Sequence, residues 1–239
     1  MGKIGLIGGM SYESTGEYYR IINELVNKRL GGLHSAEIGM ESVDFAKIEV
    51  LQRQGKWNEL EMIMIELAQR LEKAGADCIV ICTNTMHKTA PAVQGMIGIP
   101  LIHIADATAQ KIKEKGLKKA LLLGTQVTME EDFYKRKLIV EHGIEVVIPT
   151  IEEMRLIDDV IFNELCRGVI DWHRQVVINR IIELQAAKGA ECVILGCTEL
   201  PLLINQKSLN KQLGSETAIP LFDTTNIHAE AAVNFALDG

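Results

Sequence analysis

The chain has 239 residues, of which 47% are apolar and 24% are charged, and its formal net charge is −7. This length suits one large domain or two domains of about 100–120 residues, and the negative charge argues against nucleic acid or an anionic membrane surface as the main partner. The apolar stretches are too short to span a bilayer, and an odd number of cysteines, five, indicates reduced thiols in the cytoplasm rather than a disulfide framework.

Hydrophobic periodicity predicts strands that alternate with helices along the whole chain. The predicted strands are residues 3–8, 37–43, 78–82, 100–103, 119–123, 144–147, 192–196 and 220–222. The predicted helices are residues 13–30, 57–74, 105–115, 129–141, 151–167, 170–188 and 226–237. Apolar strands that alternate with amphipathic helices predict an α/β fold with parallel sheets covered by helices on both faces.

The chain carries a repeated pattern. Residues 75–85 and 189–199 align without a gap, and an Ile-Pro-Leu segment follows each of them, at 99–101 and 219–221. The repeat predicts two pseudo-symmetric α/β domains. We expect the N-terminal domain to comprise residues 1–103 together with 223–239, and the C-terminal domain to comprise residues 104–222.

The two copies differ at one position that matters for chemistry. The gapless alignment sets Thr83 opposite Cys197, although a cysteine, Cys82, lies one residue before the threonine. Successive side chains of a strand point to opposite faces, so if Thr83 faces a site, Cys82 does not. Ligands of open α/β sheets bind at the carboxyl ends of strands, which is where both copies end.

Cys197 is the strongest candidate for chemistry. The pKa of a thiol falls near helix N-termini or cations, which would make Cys197 a base or nucleophile at neutral pH. The alternative is a small buried hydrophobe, the usual fate of a free cysteine. We assign Cys78 and Cys192, which lie inside predicted strands, to that alternative.

Two other polar segments are weaker candidates for ligand binding. The turn Gly8–Ser11 precedes a helix, so its N–H groups could bind an anion, although it lacks dinucleotide-loop spacing and a tight turn is the competing interpretation. Thr83–Thr85 offers donors to a carboxylate or could cap the next helix. His87, His103 and His228 show no metal-ligand spacing, and we expect them to be structural.

Together, Gly8–Ser11, Asn84–His87 and Gly196–Glu199 resemble the aspartate/glutamate racemase family of pyridoxal-phosphate-independent amino-acid racemases. The order, the spacing and the Ile-Pro segments cover nearly the whole chain. The resemblance implies two similar α/β domains with the active site between them, commonly in a homodimer. It also implies that neither a cofactor nor a metal is needed. In that family one cysteine from each half acts on opposite faces of the substrate α-carbon, whereas here the first cysteine is replaced by Thr83.

The resemblance therefore implies an isomerase that removes the α-proton of L-aspartate or L-glutamate with Cys197, while Thr83 lies on the other side. A hydroxyl is too weak an acid to be held as a second strong base, so we expect L-substrates to react more readily than D-substrates. The expected substrate-binding residues are Gly9, Met10, Gln52, Asn84, Thr85, Thr198 and Glu199. Arg53 and Arg167 are candidates to bind the distal carboxylate, and both could equally be solvated surface residues.

Two alternatives remain at this stage. A relative with a single cysteine could use the same carbanion chemistry for another reaction, such as decarboxylation of a substituted malonate. A chain that kept the cleft and lost one thiol could instead be a non-catalytic protein that binds acidic amino acids. Release of carbon dioxide would identify the first, and absence of α-proton exchange would identify the second.

Overall fold

Two parallel sheets organise the chain, which a computed structural model describes over residues 1–214 and 219–238. The chain divides into two compact units. The first comprises Met1–Ile104 and the C-terminal residues from Thr225, and the second is Ala105–Thr224. The end of the expected N-terminal domain, residue 239, and residues 215–218 of the expected C-terminal domain lie outside the described residues.

The elements alternate as the periodicity predicts. The first part of the chain contains β1 (Ile4–Gly8), α1 (Tyr12–Leu30), β2 (Ile38–Ser42), α2 (Phe45–Arg53), α3 (Trp57–Lys73), β3 (Cys78–Ile81), a 3₁₀ turn (Thr85–Thr89) and α4 (Ala90–Gln94). The next part contains α5 (Ile104–Glu114), β4 (Lys119–Gly124), α6 (Gln126–Glu130), α7 (Asp132–Arg136), a π-helical turn (Lys137–Glu141), β5 (Glu145–Val147) and α8 (Ile151–Asn163). A 3₁₀ turn (Leu165–Arg167), α9 (Trp172–Ala187), β6 (Cys192–Gly196), α10 (Leu200–Leu203), α11 (Gln206–Leu213), β7 (Leu221–Asp223) and α12 (Thr224–Asp238) complete it.

The two sheets share a strand order, which agrees with the repeat in the sequence. The first sheet has the order β2-β1-β3 and the second has the order β5-β4-β6-β7, with every pairing parallel. In both sheets the strand that opens each half lies next to the strand that ends in polar residues. The α/β fold with two parallel sheets is therefore confirmed.

Alternation along β3 divides the core of the first unit between the two faces of its sheet. Cys78, Val80 and Cys82 pack with α1 and α12 on one face. Ile79 and Ile81 pack on the other face with α2 and α3. Each fully buried side chain of this kind contributes about 1.5–3 kcal/mol relative to an exposed one, so the strand is anchored on both sides. Its carboxyl end is consequently held in a fixed place.

The turn between β1 and α1 requires glycine for steric reasons. A Cβ atom on Gly8 would collide with the side chain of Thr15, and one on Gly9 would collide with the backbone of Val43. Gly9 also has φ = +91°, which disfavours residues with a side chain. Its N–H donates to Thr15 Oγ1 at 2.9 Å. The turn is closely packed and its glycine N–H is already bonded within the protein.

Three predicted elements were wrong in extent. Residues 100–103 pair with the sheet only through a bridge between Ile79 and Leu101. The predicted helix 129–141 is split into shorter segments, because Glu131 adopts an extended conformation with φ = −79° and ψ = 154°. The predicted helix 151–167 ends at Asn163 and is followed by a separate 3₁₀ turn.

The prediction missed four helices: α2, α4, α10 and α11. Two of them, α4 and α10, are short segments of five and four residues with a proline in the first turn, which periodicity cannot detect. In the part of the chain that the structure describes, no helix is both long enough and apolar enough to cross a bilayer.

Candidate active site

The carboxyl end of β6 carries a buried thiol bonded to a carboxylate. Cys197 directly follows the strand and is only 5% exposed. Its Sγ–H donates to Glu199 Oε2 at 3.1 Å, and the Thr198 hydroxyl donates to the same oxygen at 2.9 Å. Glu199 is itself buried. The three consecutive side chains thus form one polar cluster at the strand end, in which the carboxylate is an acceptor for the thiol proton.

The protonation of Cys197 differs from our expectation. Burial, and then the negative charge of Glu199 beside it, raises the pKa of Cys197 well above its ordinary value. The expected lowering of this pKa is wrong, because a nearby carboxylate and low solvent access both disfavour the thiolate. In this structure the thiol is protonated, so a base at Cys197 requires transfer of its proton to another group.

The corresponding end of β3 carries Thr83, with Cys82 turned away from it. Cys82 is fully buried in the apolar cluster against α1 and α12, and burial raises the pKa of its thiol far above the ordinary range. Thr83 belongs to neither apolar cluster of this unit and is 8% exposed. The packing of Cys82 makes it unsuited to proton transfer with a ligand.

The residues after Thr83 are also buried, and they begin the first 3₁₀ turn. Asn84 occupies the position before the turn and Thr85 is its first residue. His87 lies inside the turn, and its Nδ1 is 2.8 Å from the Thr83 carbonyl oxygen. The polar segment is therefore fixed from within the first unit and is not a solvated loop.

The other expected binding residues occupy different surroundings. Met10 packs into the apolar cluster on the α2 and α3 face of the first sheet. Gln52, on α2, donates through Nε2 to Met86 Sδ at 3.1 Å. Gln52 is thus linked to the residue that follows Thr85, which brings α2 to the 3₁₀ turn at the end of β3.

The two arginine candidates lie on exposed surfaces. Arg53 pairs with Glu49 one helical turn away, and its side chain is mostly exposed. Arg167 is exposed, and its Nη2 donates to Asn163 Oδ1 at 3.4 Å. Exposed ion pairs of this kind contribute little to stability, so neither arginine is held in place by its neighbours.

The remaining thiols are placed as packing residues. Cys78 and Cys192 are buried inside β3 and β6, and burial raises the pKa of each thiol to about 12. Cys166, in the second 3₁₀ turn, is partly buried and its pKa is also raised by burial. The five cysteines are all described by the structure, and all are free thiols.

One group of side chains in the described residues has the composition of a metal site. Asp106, Glu141 and His142 place one potential ligand atom each within 4.8 Å of one another. However, Lys137 Nζ lies 3.2 Å from Asp106 Oδ2 and 2.9 Å from Glu141 Oε2, and His142 Nε2 lies 2.7 Å from Asp106 Oδ1. The lysine ammonium already neutralises these carboxylates, which makes the group an ion-pair network.

Comparison with known proteins gives the family. The chain matches the Asp/Glu/hydantoin racemase family over residues 7–232. It belongs to that family. Among solved structures, a Yersinia pestis protein assigned to the Asp/Glu racemases shares 46% sequence identity with this racemase. The match covers 99% of this chain and 100% of that one, with a TM-score of 0.89.

Two further relatives agree with this assignment. An aspartate racemase homologue from Pyrococcus horikoshii OT3 shares 37% identity over 99% of both chains, with a TM-score of 0.82. A broad specificity amino-acid racemase from Bacillus subtilis (strain 168) is 23% identical over 97% of this chain and 96% of that protein. The chain is accordingly an amino-acid racemase, which favours the first interpretation of the sequence over decarboxylation or binding alone.

Sequence reasoning missed two contacts. It placed Glu199 among the binding residues and not as the acceptor of the Cys197 Sγ–H bond. It also treated His87 as a structural residue without its bond to the Thr83 carbonyl. The signals were present, because Glu199 lies two residues after the cysteine and His87 lies four residues after the threonine.

Proposed function

We propose that this racemase interconverts the enantiomers of aspartate or glutamate and acts preferentially on the L-enantiomer, with Cys197 on one face of the α-carbon and Thr83 on the other. The observation that carries the proposal is the buried Cys197 thiol bonded to Glu199 at the end of β6. Thr83 stands at the equivalent end of β3 in the repeat. The names of the relatives support the substrate class.

The first step is formation of a thiolate at Cys197. Glu199 Oε2 accepts the Sγ–H bond, so the thiol proton has an acceptor 3.1 Å away. Transfer leaves a thiolate beside a neutral carboxyl group, with no change in net charge. The α-ammonium of a bound amino acid stabilises that thiolate, because an opposite charge nearby favours the ionised form. The thiolate then takes the α-proton of the L-substrate and becomes a thiol again.

The second step is protonation of the carbanion from the other face. Thr83 carries a hydroxyl, which can donate a proton or hold a water molecule that does so, with the proton replaced from solvent. The reverse reaction from the D-enantiomer needs a base on this face. A hydroxyl is a far weaker acid than a thiol, so proton removal is slower there. A catalyst cannot alter the equilibrium, so the preference lies in turnover of the two enantiomers.

The polar residues near each strand end supply the contacts for the substrate. We assign the α-carboxylate to donors among Asn84, Thr85 and Thr198, because amide and hydroxyl groups bond carboxylates without adding charge. Gly9, Met10 and Gln52 complete the proposed set. The distal carboxylate calls for a cation, for which Arg53 and Arg167 remain the candidates.

We also propose that the racemase is a cytoplasmic homodimer. The free thiols support the compartment. An exposed groove between α8 and α9 supports the dimer. The apolar side chains lining it are Leu156, Val176, Val177, Ile181 and Leu184.

Charge around this α8–α9 groove suits a second copy of the same chain. Glu152 and Glu153 line it on α8, whereas Arg180 lines it on α9. A two-fold axis through the groove would set the carboxylates of one copy against the guanidinium of the other, because a two-fold interface pairs each residue with the opposite side. The apolar floor would then be buried in the same contact.

The test of the catalytic proposal is α-proton exchange in deuterium oxide. Cys197→Ser should fold and bind substrate but lose exchange of L-aspartate or L-glutamate by about 100-fold or more. The matched control is Cys192→Ala, which removes a buried thiol from the adjoining strand and should leave exchange largely intact. Exchange near the wild-type rate in Cys197→Ser would overturn the proposal.

A further inference from the structure

Two buried histidines hold the backbone at the end of β3 and at the segment that leads into α5. His87 and His228 are both almost inaccessible to solvent. Their ring centroids are 5.4 Å apart, and His103 packs against His87 at 4.6 Å. All three belong to the first unit. Buried polar rings must be hydrogen-bonded, and their partners reveal what each ring does.

The two hydrogen bonds of His87 fix its tautomer. Its Nδ1 lies 2.8 Å from the Thr83 carbonyl oxygen, and its Nε2 lies 3.2 Å from the Ile104 amide nitrogen. A carbonyl can only accept and an amide N–H can only donate, so the proton is on Nδ1 and Nε2 is the acceptor. The neutral ring therefore links the Thr83 carbonyl to the Ile104 N–H. Burial, together with His103 and His228, lowers the pKa of His87 and keeps it neutral.

His228 makes a similar pair of bonds but does not bond Thr83. Its Nε2 lies 2.7 Å from the Ile102 carbonyl oxygen, and the Tyr18 hydroxyl is 2.9 Å from its Nδ1. By the same reasoning, Nε2–H donates to Ile102 and the Tyr18 hydroxyl donates to Nδ1. His228 thus matches His87 in burial and in neutral state, while its bonds reach a different part of the backbone.

We propose that His87 is a positioning residue for Thr83, and this inference rests on the proposed function. The Thr83 N–H donates to Ile81 at 2.8 Å, so the His87 bond holds the other polar group of the same backbone unit. Threonine is branched at Cβ and has few side-chain rotamers, so the direction of its hydroxyl follows its backbone. His87 thereby aims the Thr83 hydroxyl, and with it the step on the second face of the substrate.

The bond to Thr83 can be separated from the bond to Ile104 by two substitutions. In His87→Asn, the shorter amide can replace the Nδ1–H donor to Thr83 but does not reach Ile104. In His87→Gln, the longer amide can replace the Nε2 acceptor for Ile104 but not the donor to Thr83. The readout is the ratio of inversion to exchange with retention of L-aspartate or L-glutamate in deuterium oxide, since only inversion requires the second face.

His87→Gln should lower this ratio by about tenfold or more, because small displacements of a reacting group cost this much in rate. His87→Asn should stay within about threefold of the wild type if the Thr83 bond is what matters. The matched control is His228→Gln, which should lower the melting temperature and leave the ratio unchanged. An unchanged ratio in folded His87→Gln, or an equal fall in His228→Gln, would overturn the inference.

A further variant keeps the test open if the histidine variants do not fold. Thr83→Ser retains the hydroxyl and loses the branch at Cβ, so the ratio should fall although His87 is intact. A wild-type ratio in Thr83→Ser would contradict the aiming of the hydroxyl by the backbone. Loss of all exchange in Cys197→Ser with an unchanged ratio in His87→Gln would reject the positioning role alone. Exchange that survives in Cys197→Ser would instead reject the proposed function.

Discussion

At the scale of single residues, the hydroxyl of Thr83 limits the reaction from the D-enantiomer. The reference pKa of a thiol is about 8.5, far below that of an aliphatic hydroxyl, so Thr83→Cys supplies a base on the second face. We expect exchange of D-aspartate or D-glutamate to rise in this variant and to approach that of the L-enantiomer. Proton NMR in deuterium oxide with chiral chromatography measures both rates.

Thr83→Ala and Cys82→Ala serve as controls for this prediction. Thr83→Ala should reduce inversion more than exchange with retention, because Cys197 can still remove and return a proton on one face. Cys82→Ala should act through packing, since Cys82 lies in the apolar cluster. Equal exchange of both enantiomers by the wild type, abolished in Cys82→Ala, would show that Cys82 is the second base.

Sequence reasoning at this scale succeeded where a periodic rule applied. Strand alternation predicted that Cys82 and Thr83 point in opposite directions, and Cys82 does pack in the core. The protonation of Cys197 could not be predicted, because its pKa depends on burial and on the Glu199 carboxylate in three dimensions. The tautomer of His87 depends on Ile104, which is distant in sequence and contributes only a backbone group.

At the scale of elements, α8 and α9 present the surface that we assign to the dimer. Val177 is 41% exposed in the α8–α9 groove. Val177→Glu places a charge in the proposed apolar contact, which cannot be buried there without a partner, so the dimer should dissociate. Sedimentation equilibrium should give the mass of a monomer for this variant and the mass of a dimer for the wild type.

Met62→Glu provides the matched control for that prediction. Met62 lies on α3 and is 71% exposed, so the substitution also replaces an exposed apolar residue by a carboxylate. It should leave the dimer intact. A Val177→Glu protein that remains dimeric at low micromolar concentration would reject the α8–α9 groove as the dimer surface.

The sequence predicted elements best where periodicity and ends agreed. The helix over α1 was expected from residue 13 and begins at Tyr12, with Ser11 as its N-cap. The predicted helix 129–141 failed because the break at Glu131 has no glycine or proline to signal it. Pro100 has no N–H to give to the sheet, which is one reason why 100–103 forms only a bridge.

At the scale of the whole molecule, the buried histidines make stability depend on pH. Burial lowers the pKa of His228 to about 4 from its ordinary value of 6.5. The unfolded chain therefore binds more protons between these values, and stability is full above pH 6.5 and falls as pH drops toward 4. The loss from His228 is up to about 3 kcal/mol, and His87 acts in the same direction.

Urea unfolding at pH 7 and at pH 4.5 tests this dependence. His228→Gln should be less stable than the wild type at pH 7, because it loses the fitted ring. It should lose less stability on acidification, since glutamine does not titrate. An equal loss for both proteins between the two pH values would show that His228 does not contribute to the acid sensitivity.

The helix α12 has a consequence for the order in which the protein is completed. Its residues Ala229, Ala232, Val233 and Ala236 pack against β1, β3 and α1, and the Ala236 carbonyl accepts a bond from the Gly2 N–H. A ribosome therefore finishes the whole of Ala105–Thr224 before it makes the last helix of the first unit. The half that is synthesised first is closed last, and one face of its sheet waits for the final residues of the nascent chain.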